Sequence, residues 1–222
     1  DVNYFFRTGV ANTNNIAIAD SSGNTNYRLS YTNKNVRGTV PNASLGRNTL
    51  NFSGSTKLGK VNVFSNVNYI KNNSTGRPWT GASNRNIMLE AFQWGGVQVD
   101  YEKLSDYKRA DGTPRPWNRT GYRDTPGDRA TRFIDNPYWS AYESYLEESR
   151  DRFYGNVGFN APINSWLNIS AKVNADIYHY QYQDRIAVYS RSQSTYQEYS
   201  NTFHELNYEF IASANKSCGD FS

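Results

Sequence analysis

Between Leu167 and Ile177 the chain alternates without error. Leu167, Ile169, Ala171, Val173, Ala175 and Ile177 are apolar, and Asn168, Ser170, Lys172, Asn174 and Asp176 between them are polar. Successive side chains of a strand point to opposite faces, so a period of two demands a strand with one apolar face and one wet face. A helix would scatter the same residues around its axis. Weaker copies of the pattern recur at residues 15–20 (Ile16, Ile18), 26–35 (Tyr27, Leu29, Tyr31) and 48–58 (Leu50, Phe52, Gly54). Further copies lie at 60–72 (Val61, Val63, Val67, Tyr69), 152–161 (Phe153, Val157, Phe159) and 205–216 (Leu206, Tyr208, Phe210). Phe64 and Ser65 break the fourth. The expected class is all-β, with seven strands.

Composition fits that class. Asparagine is about one residue in eight, and there are 18 Tyr and 11 Phe against a single Met and a single Cys, a balance that favours strands and turns. The net charge of +4 is spread along the chain with no Lys/Arg run, which argues against a nucleic-acid partner. The lone Cys218 excludes an internal disulfide framework and a multi-cysteine metal site. The chain opens on no charged-then-apolar signal segment, and no apolar stretch reaches the roughly 18 residues of a membrane-crossing helix. A barrel strand needs only about 9–11 residues, every second one apolar, so a membrane barrel stays open.

Alternation alone is shared by a lipid-facing barrel and a soluble β-sandwich, because both bury one face. The connections favour the barrel. Those after strands one, three and five are short (residues 21–25, around Gly59, and 162–165); those after strands two, four and six are longer (about 36–47, 74–151 and 184–204). Long connections on one side and tight turns on the other are the asymmetry of antiparallel outer-membrane barrels. Aromatics near strand ends, such as Tyr27, Tyr69, Phe153, Trp166 and Tyr208, suit the girdles such barrels carry at the interfaces. The 74–151 connection is too long to lack structure. Helix-like spacing occurs at 84–94 and 138–148, and the Gly- and Pro-rich stretch 109–129 reads as irregular loop.

Several phrases carry a family resemblance: residues 4–10 (YFFRTGV), 26–33 (NYRLSYTN), 38–50 (GTVPNASLGRNTL), 66–70 (NVNYI), 76–81 (GRPWTG), 136–139 (NPYW) and 150–157 (RDRFYGNV). Together, in this order and spacing, they resemble the SusC/RagA family of TonB-dependent outer-membrane transporters. The resemblance implies a barrel of about 22 strands closed by a plug, in the outer membrane. It also implies a SusD-like surface lipoprotein as partner, energy from the TonB complex, contact with outer-membrane lipid, and oligosaccharides or peptides as substrates. On this reading residues 1–222 are part of one barrel domain, a fragment from its front half. The plug, the TonB-contacting segment and the remaining strands are absent, and residues 219–222 stand where another strand would begin. A soluble extracellular carbohydrate-binding β-sandwich is the alternative.

Candidate contact residues concentrate in the long loop. Trp79, Trp94, Trp117 and Trp139 present flat indole faces that stack on sugars or anchor a partner. The competing reading is that they form the small core such a loop needs, most of all Trp139 within NPYW. Arg115, Arg119 and Arg123 lie in a mixed-sign stretch with Arg109, Asp111, Asp124, Asp128 and Arg129, suited to polar substrate or to ordinary solvation. The two histidines, His179 and His204, sit in no triad spacing, and Glu143, Glu147, Glu148 and Asp151 read as solvated carboxylates. No catalytic residue, cofactor or metal ligand is expected, and no enzyme.

Overall fold

The computed structural model describes residues 1–216; Cys218 and the strand start expected at 219–222 lie outside the described residues. Seven antiparallel strands form one sheet in sequence order: β1 (Val10–Ser22), β2 (Thr25–Arg37), β3 (Ser44–Leu58), β4 (Val61–Thr75), β5 (Leu146–Pro162), β6 (Leu167–Ile186) and β7 (Thr195–Ala214). The all-β meander and the seven strands agree with the alternation. Each strand covers its expected segment except for Lys60, which falls in the turn before β4, and residues 215–216, beyond the end of β7; most strands run longer, because the ladder continues past the point where one face stops being apolar. β6 adds nine residues beyond Ile177 in which both faces are polar or aromatic-polar.

The register brings the apolar rows together. Ile18 pairs with Leu29, Leu29 with Phe52, and Phe52 with Val67. Tyr69 pairs with Phe153, Phe153 with Ile177, and Val173 lies between Val157 and Tyr208. Directly paired residues share a face, so these positions build one continuous apolar surface. From Leu167 to Ile177 there are ten residue steps, about 33 Å of strand, or roughly 24 Å of height at the tilt of about 45° usual in barrels. The fourth-strand irregularity has a local cause. Phe64 points to the polar face opposite Gly158, where a Cβ would come within 2.7 Å of its ring, so the aromatic fills the space the glycine leaves. Ser65, on the apolar face, donates its hydroxyl to the Asn156 carbonyl at 3.1 Å.

That apolar surface is bare. Ile16, Ile18, Val157, Leu206, Tyr208 and Phe210 are each more than half exposed, and Leu50, Phe52, Tyr69, Phe153 and Val173 nearly so. The described residues make a single sheet, not the two that a sandwich needs to cover such a face. Among them no helix is long and apolar enough to cross a membrane.

Two connections are two-residue hairpins, Gly23–Asn24 and Gly59–Lys60, and Gly23 and Gly59 adopt φ of 55° and 61° as the first residue of a type II′ turn requires. The third, Ile163 to Trp166, closes where the Asn164 side chain accepts from the Trp166 and Leu167 amides at 3.0 and 2.9 Å. All three lie at one end. At the other, residues 1–9, 38–43, 76–145 and 187–194 gather into a cap. Its short elements are a 3-10 turn (Val2–Tyr4), a π-turn (Leu89–Gln93), α1 (Tyr101–Leu104), α2 (Pro126–Arg129) and α3 (Pro137–Glu143). The helix expected over 138–148 stops at Glu143, because Leu146 already pairs with Asp184 in the sheet.

Candidate functional site

The polar face beneath the cap carries an ordered strip of charge and aromatic surface. Parity along β6 continues the row Lys172, Asn174, Asp176 into Tyr178, Tyr180 and Tyr182. Arg152 of β5 grips Asp176 with two hydrogen bonds, 2.8 and 2.5 Å, and Lys172 meets Glu209 of β7 at 3.2 Å. Above them the Arg150 guanidinium lies over both Tyr178 (5.2 Å) and Tyr180 (5.1 Å), and Tyr178 stacks on Phe203 at 5.0 Å. The Tyr180 hydroxyl donates to Glu148 (2.8 Å), which also accepts two bonds from Arg77 at the start of the cap (2.8 and 3.1 Å). Guanidinium groups laid over phenol rings and tied to carboxylates form a wall that can stack on rings and bond amides or hydroxyls. Of these residues only Glu148 was weighed from sequence, as a solvated carboxylate, and the structure corrects that reading by pairing it with Arg77 and Tyr180. The signal was present, since tyrosines at every second position from 178 to 182 fall on the polar row.

The cap has its own core of Phe5, Val40, Ile87, Ala91, Tyr101, Leu104 and Tyr138. Asn136 starts α3: its side chain accepts from the Tyr138 amide (2.9 Å), with Pro137 at the first helical position. Its Nδ2 also donates to the Leu104 and Arg115 carbonyls, both at 3.0 Å. This geometry presses Trp139 inward, and its indole N–H reaches Ser190 at 2.9 Å. Distant pieces are sewn in by Arg7 to the carbonyls of Gly38 and Ala43 (3.0 and 2.9 Å) and by Tyr138 to the Tyr4 carbonyl (2.9 Å). The cap is bolted to β6 by the Arg85–Asp184 pair, bonded at 2.8 and 2.5 Å with both side chains almost buried.

Two cap carboxyls titrate unusually. Burial, aided by the nearby Asp135, pushes Glu90 up to about 8 despite a 2.6 Å bond from the Ser140 hydroxyl. Burial likewise raises Asp135 to about 6, although the Arg191 amide donates to both its oxygens. Among the described residues no group of three His, Cys, Asp or Glu side chains converges to hold a metal ion.

The residues nominated from sequence disperse. Trp79 lies under the Arg85 guanidinium (4.7 Å) and Trp117 is half-buried against the cap core. Trp94 is exposed and stacks on Phe133 at 6.2 Å, and Phe6 stacks on Phe92 at 5.8 Å. Arg115 reaches Asp106 (3.3 Å), Arg119 donates to the Arg123 carbonyl (2.6 Å), and Arg123 lies over Tyr122 (5.8 Å). Trp94 thus sits on the outer surface of the cap, whereas Trp79 and Trp117 pack within it.

An uncovered apolar band, a polar opposite face and a cap opposite tight turns define a segment of antiparallel β-barrel wall. Solved structures share the fold. Similar chains are found in the RagAB peptide importer in its closed-closed state, with a TM-score of 0.61 and 14% identity over 98% of this chain. The open-open state of that importer gives a TM-score of 0.59 and 15% identity over 94% of this chain. The chain spans only 23% and 22% of the length of those two chains. No protein family and no curated protein matches the sequence.

Proposed function

We propose that this chain is part of the barrel domain of a nutrient importer of the SusC/RagA kind, embedded in the outer membrane, with the 74–151 segment extracellular. The observation that carries the proposal is the bare apolar face, whose rows meet in register from strand to strand and reach from Leu167 to Ile177 on β6, long enough at the usual barrel tilt for the band of about 25 Å that lipid covers on such barrels. The polar strip from Arg152 to Tyr182 then faces the lumen, and the cap faces outward. Peptides are the favoured cargo, because the structural neighbours are peptide importers and because the strip alternates charge with phenol rings, which suit backbone amides and side chains alike. Oligosaccharides are the second cargo the resemblance allows. Energy comes through TonB and a plug elsewhere in the protein. The exposed stacked pair of Trp94 and Phe133 is offered to a SusD-like lipoprotein, aromatic anchors being the usual centre of an interface. The protein performs no chemistry on its cargo.

The test is lipid contact. Val173 and Asn174 are neighbours on β6 that face opposite sides. In the complete protein reconstituted into bilayers, a spin label at Val173 should be relaxed by lipid-dissolved oxygen, and one at Asn174 by a water-soluble relaxant. Equal aqueous access at both positions would remove the membrane barrel from consideration.

A further inference from the structure

A cavity of about 340 Å³, lined by none of the strip's residues, opens on the cap between the 109–114 turn, α2 and the 187–194 connection. Three guanidinium groups line it, those of Arg109, Arg129 and Arg191, and Pro114, Pro126 and Ala130 supply its apolar surface. Arg129 is already matched by Asp124 at 2.6 Å. Among the described residues, neither Arg109 nor Arg191 has a carboxylate oxygen within ion-pair distance of its side chain. Arg109 donates instead to the Thr113 hydroxyl and the Pro114 carbonyl, and Arg191 Nε to the Arg132 carbonyl at 3.0 Å. Partial burial, then the neighbouring guanidinium groups of Arg129, Arg115 and Arg119, hold Arg109 below its usual range, with Asp111 offsetting part of that effect, and the Asp135 carboxylate lies beside Arg191, where it accepts from the backbone amide rather than the guanidinium. Tyr189 stands at the rim on a left-handed backbone, φ 74°, a conformation that costs a non-glycine residue energy and that the surrounding fold enforces.

We propose that this cavity binds the C-terminal carboxylate of a peptide, held by Arg109 and Arg191 with the preceding residue against the prolines; the proposal rests on the import reading in its peptide form. Guanidinium forks match a carboxylate in two parallel hydrogen bonds, and that geometry is what a planar carboxylate rewards. Asp111 on the rim opposes a second negative charge, which disfavours a phosphate dianion. A carboxylate with an apolar body satisfies both halves of the lining.

The proposal is tested by calorimetric titration of the complete protein in detergent micelles. Three probes are used: trialanine, trialanine amide, and alanyl-aspartyl-alanine amide, which carries its only carboxylate on a side chain. Trialanine should bind at least about tenfold more tightly than its amide, and Arg109→Gln or Arg191→Gln should each erase most of that preference. Arg191 is exposed, so R191Q keeps the test open should R109Q fail to fold, as judged by near-ultraviolet circular dichroism. Equal binding of trialanine and its amide overturns the site, as does wild-type preference in a folded R191Q protein. Aspartyl amide binding as tightly as trialanine overturns the assignment to the terminus. Uptake of trialanine by cells is measured separately: import without carboxylate preference sinks this site alone, and preference without import sinks the transport reading while the site stands.

Discussion

The sheet and the cap of this protein are organised in opposite ways. In the sheet the large apolar side chains point outward and remain exposed, and coherence comes from the backbone ladder, each strand paired along its length with its neighbours. In the cap they point inward. Among the described residues, every buried hydrophobic side chain except Leu146 and Ala161 belongs to the cap. The sheet therefore gains little from water-driven burial unless something apolar covers it, whereas the cap has a core that water itself enforces. One chain thus buries its apolar side chains in the cap and leaves those of the wall uncovered. The difference also separates their vulnerabilities. The wall should suffer from errors of conformation and facing, and the cap from loss of packing and of buried charge balance.

The largest expected effect lies at the joint between them. Asp184→Ala leaves the Arg85 guanidinium buried without its carboxylate, a change that costs about 3–5 kcal/mol in comparable sites. Proteolysis within 109–129 should rise sharply in this variant of the complete protein while the heat-modifiable migration typical of a folded barrel persists. Because an apolar pair of similar volume is tolerated where a broken ion pair is not, Arg85→Met combined with Asp184→Leu should recover much of the loss. Simultaneous collapse of cap and wall in D184A would contradict the separation drawn above.

An intermediate effect should come from pH. Glu90 and Asp135 both bind a proton more tightly in the folded cap than in an unfolded chain, where they titrate near 4.5 and 3.8. Their contribution is therefore fully present below pH about 4 and is lost as pH rises through about 6 for Asp135 and about 8 for Glu90. Hydrogen exchange of cap amides should accelerate between pH about 4 and about 8 beyond the intrinsic rate, with the sheet amides of β2 to β6 unaffected. Glu90→Gln should abolish the upper part of that dependence. A cap whose corrected protection is flat over this range would show that Glu90 is solvated.

The smallest effect tests the wall alone. Gly59 holds φ at 61° with open space where a Cβ would stand, so Gly59→Ala changes conformation without any clash. The expected cost is about 1–2 kcal/mol, seen as a lower urea midpoint for barrel unfolding with cap proteolysis unchanged. No shift at all would mean that the hairpin is not required for pairing β3 with β4.

Much of the wall was legible because its information is local. Parity fixes which residues share a face, and the tight turns at Gly23, Gly59 and Asn164 fix the register in which neighbouring rows meet. The same parity, carried past Asp176, points to Tyr178, Tyr180 and Tyr182, but with His179, Gln181 and Gln183 between them both faces are polar there and alternation no longer marks the row. The ends of the strands were less legible. Beyond the apolar band both faces are wet, alternation vanishes, and only the ladder shows that β5 begins at Leu146 and that β7 begins at Thr195.

By itself, then, the sequence determined an all-β meander of seven strands with one apolar face and with its long connections at one end, because a period of two and a two-residue turn are properties of neighbouring residues. Only the tertiary structure decided the cap. Which arginine is paired and which is left over depends on contacts between positions up to 134 residues apart, such as Tyr4 with Tyr138, and Arg85 finds Asp184 across 99. Sequence proximity nominated Arg115, Arg119 and Arg123, but it was folding that brought Arg109, Arg129 and Arg191 to one cavity. Charge compensation is set by distance in space, and no local pattern encodes it.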